Sequence, residues 1–372
     1  MVSILLQRNI IAGLILTLPF SRFLNFDVVA NLAISDFFLL VNFILAMLSL
    51  KISIWSIPIF ILFLASTISY LFNYENSNVI VLFSFLLKAF LCVQIINTKE
   101  YFTFYLKVLI LSGIFWILMG ILLTDGLFFD LSGEVSQNRN ELAHYSILVY
   151  FFACLICFSK DIETSKEYKL LSLFMILMSS VVILVSQSRG AIIAWGLVQI
   201  VFLIKNRKFF LLFLLGIFMT LVFSVMDFSD YELQRIATIT SFEPATNADE
   251  VRIENLILGY ELFSSSPVTG IGPGAFILAH PENKVMHNTY ASTIVELGIL
   301  GFVSLLLLFI FPLILFLRKK VHKFSPLEEY CLFGAMFAIS IHSMTIESLS
   351  KFAVFLCFSI LISSILMKKN AR

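Results

Sequence analysis

Charged residues are scarce in this chain of 372 residues. Asp, Glu, Lys and Arg together make up 13% of it, whereas a soluble domain carries roughly 25%. Hydrophobic residues make up 60%, and they fall in blocks, many of which reach the roughly 20 residues that a helix needs to cross a bilayer core. This composition excludes a soluble globular domain, and a net charge of +1 gives no basis for binding nucleic acid.

Cysteine is also rare, and its placement argues against metal or redox chemistry. All five cysteines lie inside apolar runs. Cys154 and Cys157 form a C-x-x-C pair, a pattern that elsewhere indicates a metal or redox site. No partner ligands accompany the pair in its apolar run, so we interpret both residues as packing residues. The sequence predicts no metal site and no cofactor.

The apolar runs predict an all-α integral membrane protein, because exposed backbone polar groups are too costly in lipid for any other open structure. We count about 12 transmembrane helices in a single polytopic membrane domain over residues 1–372. The first run lacks a small-residue cleavage site, so we expect it to remain as an anchor. The predicted spans are 8–24, 30–50, 53–72, 79–97, 102–123, 141–158, 168–186, 190–204, 209–226, 289–317, 328–346 and 350–367.

The basic residues predict how the chain is oriented. With both termini in the cytoplasm, most of the 25 basic residues fall on the inner connections, as the positive-inside rule requires. This orientation places residues 227–288, between spans 9 and 10, outside the membrane on the face opposite the cytoplasm. The outer basic residues are Arg22, Arg139, Arg189, Arg235, Arg252, Lys284 and Lys351.

The outer loop has the pattern of an ordered segment. Asn247 followed by Glu250 is typical of a helix cap, and apolar residues then recur at helical spacing. We predict an amphipathic helix over 248–264, lying on the membrane or capping the spans, and ended by Ser266-Pro267. Its apolar positions are Ile253, Leu256, Ile257, Tyr260 and Phe263, and its polar positions are Arg252, Asn255 and Glu261.

Two features of the loop could carry chemistry. The glycine-rich stretch 270–274 follows no strand, so we interpret it as a turn rather than as a phosphate cradle. His287 and Asn288 stand directly before a long span, and a histidine is suited to act as a base near neutral pH. His280 is a competing choice for that base.

The outer arginines are the main anomaly, because positive charge normally stays inside. Arginine grips phosphate through a planar fork, so arginines beside the outer face suggest an anionic lipid headgroup such as a lipid pyrophosphate. Ordinary snorkelling to the interface is the alternative. Arg189 is the sharpest case, since the short turn that holds it requires Gly190 but no arginine.

From Ser186 to about Phe316 the chain resembles the O-antigen ligases and O-antigen polymerases, which are membrane glycosyltransferases. The resemblance rests on an ordered series of fragments, and the first five spans carry none of them. The fragments are Ser188-Arg189-Gly190, Arg252, Ser266 to Gly274, and His287-Asn288 followed after nine residues by Gly298 and then by Gly301. Upstream of this range, Asn138 to Ala143 also resembles the family's entry to a middle span.

The resemblance implies metal-independent transfer of a glycan from undecaprenyl pyrophosphate at the periplasmic face of the bacterial inner membrane, in lipopolysaccharide O-antigen or related surface polysaccharide biosynthesis. It implies that Arg189 and Arg252 hold the pyrophosphate and that His287 deprotonates or orients the acceptor hydroxyl. The substrate-binding positions would be Arg139, Arg235, Asn288 and Lys284.

Two choices stay open at this point. The acceptor is either a second lipid-linked repeat unit, for a polymerase, or the lipid A–core, for a ligase, and we lean slightly to the polymerase. The alternative from another class is a polytopic transporter or flippase, for which the intramembrane Lys88 or the pair Glu347 and Lys351 would mark a polar path. Against a transporter, the sequence has no detectable internal repeat.

Overall fold

A computed structural model describes the chain over residues 4–17, 25–26, 32–48, 53–122, 138–160, 162–186, 188–207, 247–317, 324–346 and 352–370. Apart from one two-stranded ladder, in which Asn25–Phe26 (β1) pairs antiparallel with Leu32–Ala33 (β2), the regular structure in these ranges is helical. The helices are α1 (Ile4–Thr17), α2 (Ile34–Leu48), α3 (Ile57–Phe72), α4 (Val79–Asn97), α5 (Phe102–Leu122), α6 (Asn138–Phe158), α7 (Lys166–Val185), α8 (Arg189–Lys205), α9 (Asn247–Ser265), α10 (Ala275–Ala279), α11 (Thr289–Leu317), α12 (Pro326–His342) and α13 (Phe352–Asn370).

The predicted all-helical membrane architecture is confirmed in its main feature. Among the described residues, six helical stretches are long and apolar enough to cross a bilayer: Ile54–Phe72, Val79–Asn97, Lys99–Leu118, Asn140–Phe158, Lys166–Val185 and Thr289–Leu315. Each of the other predicted spans coincides with a shorter or less apolar helix, except span 209–226, which lies outside the described residues. The count of twelve spans therefore stays a prediction.

Helix α6 lies at the centre of the bundle. It packs against α5, α7, α8, α12 and α13, and it is the most buried of the six stretches.

Helix α4, which packs against α13, carries Lys88, one of the candidates for a polar path. Lys88 is buried, and its ammonium lies 5.7 Å from the ring centroid of Phe85 and 5.8 Å from that of Phe355. Glu347 and Lys351, the other candidates for a polar path, lie outside the described residues.

Helix α11 is broken near its start, which the sequence pattern did not predict. Gly298 has φ 66° and ψ −165°, so two helical pieces meet there at a kink. Segment 267–272, which overlaps the glycine-rich stretch 270–274, fills the break. Its backbone forms hydrogen bonds with amides and carbonyls that the helix leaves unbonded on both sides of Gly298. The hydrogen bonds run from Ile271 N to Val295 O (3.0 Å), from Gly272 N to Glu296 O (2.9 Å), from Ile299 N to Pro267 O (3.0 Å) and from Leu300 N to Val268 O (3.5 Å).

The turn between α3 and α4 supports this insertion from the other side. Ser69 Oγ donates to Glu296 O at 2.7 Å, and Asn73 Nδ2 donates to Gly270 O at 2.9 Å. The backbone amide of Asn78 donates to Pro273 O at 2.8 Å. A turn from the first part of the chain, where the sequence carries no motif, therefore fixes the glycine-rich segment in place.

We expect the substitution Gly298→Ala to destabilise the protein by about 2 kcal/mol or more, because a side chain at positive φ costs about 1–3 kcal/mol and its Cβ would lie 2.2 Å from Val268 O. The control is Gly196→Ala in α8, where an added Cβ meets nothing within 4 Å and alanine favours the helix by up to about 1 kcal/mol. Thermal unfolding in detergent measures both. Equal midpoints for the two variants would show that the break at Gly298 is dispensable.

Candidate functional site

The site is built around the turn that ends α12, residues 343–346. Two chain segments contact this turn from positions far apart in the sequence. The start of α11 binds it through Thr289, whose amide donates to Ser343 O (2.9 Å) and Ile346 O (3.1 Å) and whose hydroxyl donates to Ile346 O (2.6 Å). The 343–346 turn therefore holds the residues that directly follow His287.

The start of α8 touches the same turn. A Cβ added at Gly190 would lie 2.1 Å from Oγ1 of Thr345, so only glycine permits this close approach without a shift of the threonine. One residue earlier, Ser188 Oγ lies 3.2 Å from Nε2 of His342. Arg189 stands between these two contacts, and its side chain is partly exposed.

Helix α9 packs against the residues that directly precede His287. Asn255, which is 1% exposed, donates from Nδ2 to Val285 O at 3.2 Å, and a Cβ at Gly259 would lie 2.5 Å from Cε of Met286. Residues three and seven positions apart share one face of a helix, so Arg252 stands on the face of α9 that packs against residues 285–286. The packed face of α9 therefore leads directly to His287.

The predicted helix 248–264 is observed as α9, Asn247–Ser265, and it ends before Ser266-Pro267 as expected. Its apolar stripe faces away from the rest of the protein: Ile253, Leu256, Ile257 and Tyr260 are all exposed. The inward face instead carries Asn255 and Gly259, with Leu258, Leu262 and Phe263 against a small apolar cluster of Phe276, Met286 and Val295. The cap predicted at Asn247 falls on a side chain outside the described residues.

The glycine-rich stretch is a turn whose amides are used inside the protein. The Glu296 carboxylate accepts from Gly274 N at 2.9 Å and from Phe276 N at 3.4 Å. The amides of residues 270–272 donate to backbone carbonyls, and Gly270, Gly272 and Gly274 all have positive φ. Because these amides are already engaged, the segment has the structure of a folded turn and not of a phosphate cradle, as the sequence predicted.

Two predicted substrate-binding residues have structural roles in this loop. Asn288 Oδ1 accepts from the amides of Tyr290 and Ala291, both at 3.0 Å, so it caps the start of α11. Lys284 forms an ion pair with Glu282, and this hydrogen bond lowers the pKa of the exposed Glu282 carboxyl below its ordinary value. The cap fixes the backbone directly after His287, whereas the ion pair joins two partly exposed side chains of the loop before it.

His280, the competing base, has a local role of its own. Its Nδ1 accepts from the amide of Glu282 at 3.0 Å, and its carbonyl accepts from the amide of Asn283 at 3.0 Å. The ring therefore closes the turn at residues 280–283. The side chain of His287 is partly exposed and precedes the anchored Thr289.

The side chains of two predicted substrate-binding residues, Arg139 and Arg235, lie outside the described part of the structure. Arg139 belongs to the first turn of α6, Asn138–Phe158, but its side chain is not among those described. Arg235 lies outside the described residues altogether. Within the described ranges, no group of three or more His, Cys, Asp or Glu side chains is placed to hold a metal ion. Metal-independent chemistry stays a prediction.

Sequence reasoning missed a buried chain of polar side chains behind Arg189. His342 Nδ1 lies 2.9 Å from Nδ1 of His144 in α6, while His342 Nε2 faces Ser188 Oγ. His342 is 0% exposed and His144 is 2% exposed. The available signal was a polar ring within each of two apolar spans, because such residues are costly in a membrane and are commonly functional.

The fold and the site together define a polytopic membrane protein whose polar groups of interest gather at one end of its helices: the starts of α6, α8 and α11, the end of α12 and the loop that bears α9. Residues 171–306 match the family model described as O-Antigen ligase. This match contains Arg189, Arg252, the 267–272 segment, His287 and Gly298, so the resemblance predicted from the motifs is confirmed for that part of the chain. A search of curated proteins gives no match.

Proposed function

We propose that this protein transfers a glycan from undecaprenyl pyrophosphate to an acceptor hydroxyl at the periplasmic face of the bacterial inner membrane. The observation that carries the proposal is that the residues next to Arg189 and next to His287 both contact the 343–346 turn, while Arg189 and His287 themselves lie in the region that matches the O-antigen ligase family. An anion-binding arginine and a base held by one rigid turn suit the departure of a charged group and the activation of a nucleophile.

In the proposed reaction, the acceptor oxygen attacks the anomeric carbon of the donor sugar. The bond from that carbon to the pyrophosphate oxygen breaks, and its electron pair leaves with the pyrophosphate. Arg189 and Arg252 stabilise the charge that develops on this leaving group. His287 takes the proton of the acceptor hydroxyl. Direct displacement inverts the configuration at the anomeric carbon.

The exposed stripe of α9 supports a location at the membrane surface. A helix with one apolar face lies in the interface and buries that face among the lipids. Ile253, Leu256, Ile257 and Tyr260 form such a face on α9, and the opposite face holds Asn255 against Val285. With α9 seated in this way, a lipid-borne pyrophosphate reaches Arg252 and Arg189 at headgroup depth.

For the acceptor, we favour a second lipid-linked repeat unit, which makes the protein an O-antigen polymerase; the alternative is an O-antigen ligase acting on the lipid A–core. Deleting the gene and examining lipopolysaccharide on a gel separates them. A polymerase deletion leaves a core with one repeat unit and no ladder. A ligase deletion leaves a bare core, with long polymer retained on undecaprenyl pyrophosphate. An unchanged ladder would refute a role in O-antigen synthesis.

A further inference from the structure

The chain Ser188–His342–His144 links three helices directly behind Arg189. Ser188 precedes α8, His342 ends α12 and His144 lies in the second turn of α6. The contacts measure 3.2 Å and 2.9 Å, and the three side chains are all buried. The partners are separated by 154 and 198 positions in the sequence, so the chain fixes tertiary packing and not local structure.

The hydroxyl of Ser188 serves this chain instead of its own helix. A serine at the position before a helix ordinarily accepts a hydrogen bond from an amide in the first turn. Ser188 occupies that position before α8 but makes no such cap bond. Its oxygen is turned to His342 Nε2, while its amide donates to Ser186 Oγ at 3.3 Å. The backbone that enters Arg189 is therefore held from both sides by side-chain contacts.

Two neutral imidazoles satisfy the chain in either direction. If His342 carries its proton on Nδ1, it donates to His144 and accepts from the serine hydroxyl at Nε2. If His144 donates instead, His342 carries its proton on Nε2 and donates to the serine oxygen. Burial favours hydrogen bonds of this kind, because a buried polar atom that loses its partner costs about 1–3 kcal/mol. These three side chains thus join α6 and α12 to the start of α8, and neither histidine needs to be charged.

We propose that His342, backed by His144, is a positioning residue that acts through Ser188 to aim Arg189 at the pyrophosphate of the donor lipid. This proposal rests on the proposed function, since it assigns a purpose to the chain only if Arg189 binds that group. A displacement of about 1 Å at a reacting group is enough to cost up to about 100-fold in rate. The loss of the His342–Ser188 contact would release the side-chain hydrogen bond that joins Ser188 to the end of α12.

The test compares two isosteric replacements of His342. In His342→Gln the amide reaches the position of Nε2 and keeps the contact with Ser188. In His342→Asn the amide lies near Nδ1, so it keeps the contact with His144 and loses Ser188. Binding of undecaprenyl pyrophosphate to the full chain, in nanodiscs of phosphatidylethanolamine and phosphatidylglycerol, is measured for both. We expect His342→Asn to raise Kd about 10-fold and His342→Gln to stay near the wild-type value.

A double-mutant cycle with Arg189→Ala then identifies the route of the effect. If His342 acts through Arg189, His342→Asn adds no further loss once Arg189 is alanine. Equal losses in the Asn and Gln variants, no loss in either, or full additivity with Arg189→Ala would each overturn the positioning role. If Arg189→Ala alone bound undecaprenyl pyrophosphate as the wild type does, the pyrophosphate site of the proposed function would be refuted. The Ser188–His342–His144 contacts would then have no arginine to position.

Discussion

Replacing His287 with alanine is expected to lower the rate of glycan transfer by about 10²–10⁴-fold, the usual contribution of a general base, while the protein keeps its fold. The reason for the intact fold is that the anchors of this segment are elsewhere: Thr289 binds the 343–346 turn and Asn288 caps α11. The measurement is restoration of the lipopolysaccharide ladder in a deletion strain, together with the rate for purified protein and a lipid-linked donor.

The matched control is His280→Ala, seven residues earlier in the same loop. His280 Nδ1 accepts from the Glu282 amide in a turn, and the ring lies 5.8 Å from that of Phe276. We expect this variant to restore the ladder and to lose a little stability, because one turn contact of about 1 kcal/mol disappears. A ladder that is lost with His280→Ala and restored with His287→Ala would exchange the roles of the two histidines.

The helical pattern was accessible to the sequence because it is local. Apolar runs of sufficient length located the helices, and the capping and turn residues placed α9 to within about a residue at each end. The interruption of α11 was not accessible. Its local sequence around Gly298 is apolar except for Glu296, and the backbone groups that fill the break come from segment 267–272, about 30 residues earlier.

The candidate site shows the same contrast. Motif spacing selected Arg189, Arg252 and His287, but the 343–346 turn, which the neighbours of Arg189 and His287 contact, lies outside every motif. Ser69 donates to the Glu296 carbonyl of α11 and Asn73 donates to the Gly270 carbonyl, and these partners lie 227 and 197 positions away in the sequence. Hydrogen bonds over such separations leave no periodic signal in one sequence. In the sequence, such hydrogen bonds are indicated only by the presence of a serine, asparagine or histidine within an apolar run.

The orientation of α9 illustrates why a pattern must be interpreted together with its solvent. In a soluble protein, the stripe Ile253, Leu256, Ile257 and Tyr260 would pack on the core. Here those residues are exposed and the buried position is Asn255, at 1% exposure. In the proposed position of α9 at the membrane surface, lipid would receive the apolar stripe, while the Val285 carbonyl accepts the hydrogen bond of the asparagine. The polar residues of such a helix are therefore the better guide to the site.

Arg189 carries the second large prediction. Arg189→Ala is expected to lower kcat by about 10²–10³-fold, as does the loss of one preorganised donor to a developing negative charge. Arg189→Lys keeps the charge and loses the planar fork that grips two phosphate oxygens, so its rate should lie between those of the wild type and the alanine variant. The kcat values of the wild type and of both variants are measured with a lipid-linked donor at saturating acceptor.

The control lies at the other end of the same helix. Lys205 is exposed and forms an ion pair with Glu329 at 3.2 Å, and such surface pairs contribute at most about 1 kcal/mol. Lys205→Ala removes one positive charge from α8, as Arg189→Ala does, but far from the 343–346 turn. If both variants lost activity equally, the effect would follow from the charge or stability of α8. A loss confined to Arg189, with lysine partly restoring it, requires a phosphate-binding fork where α8 begins.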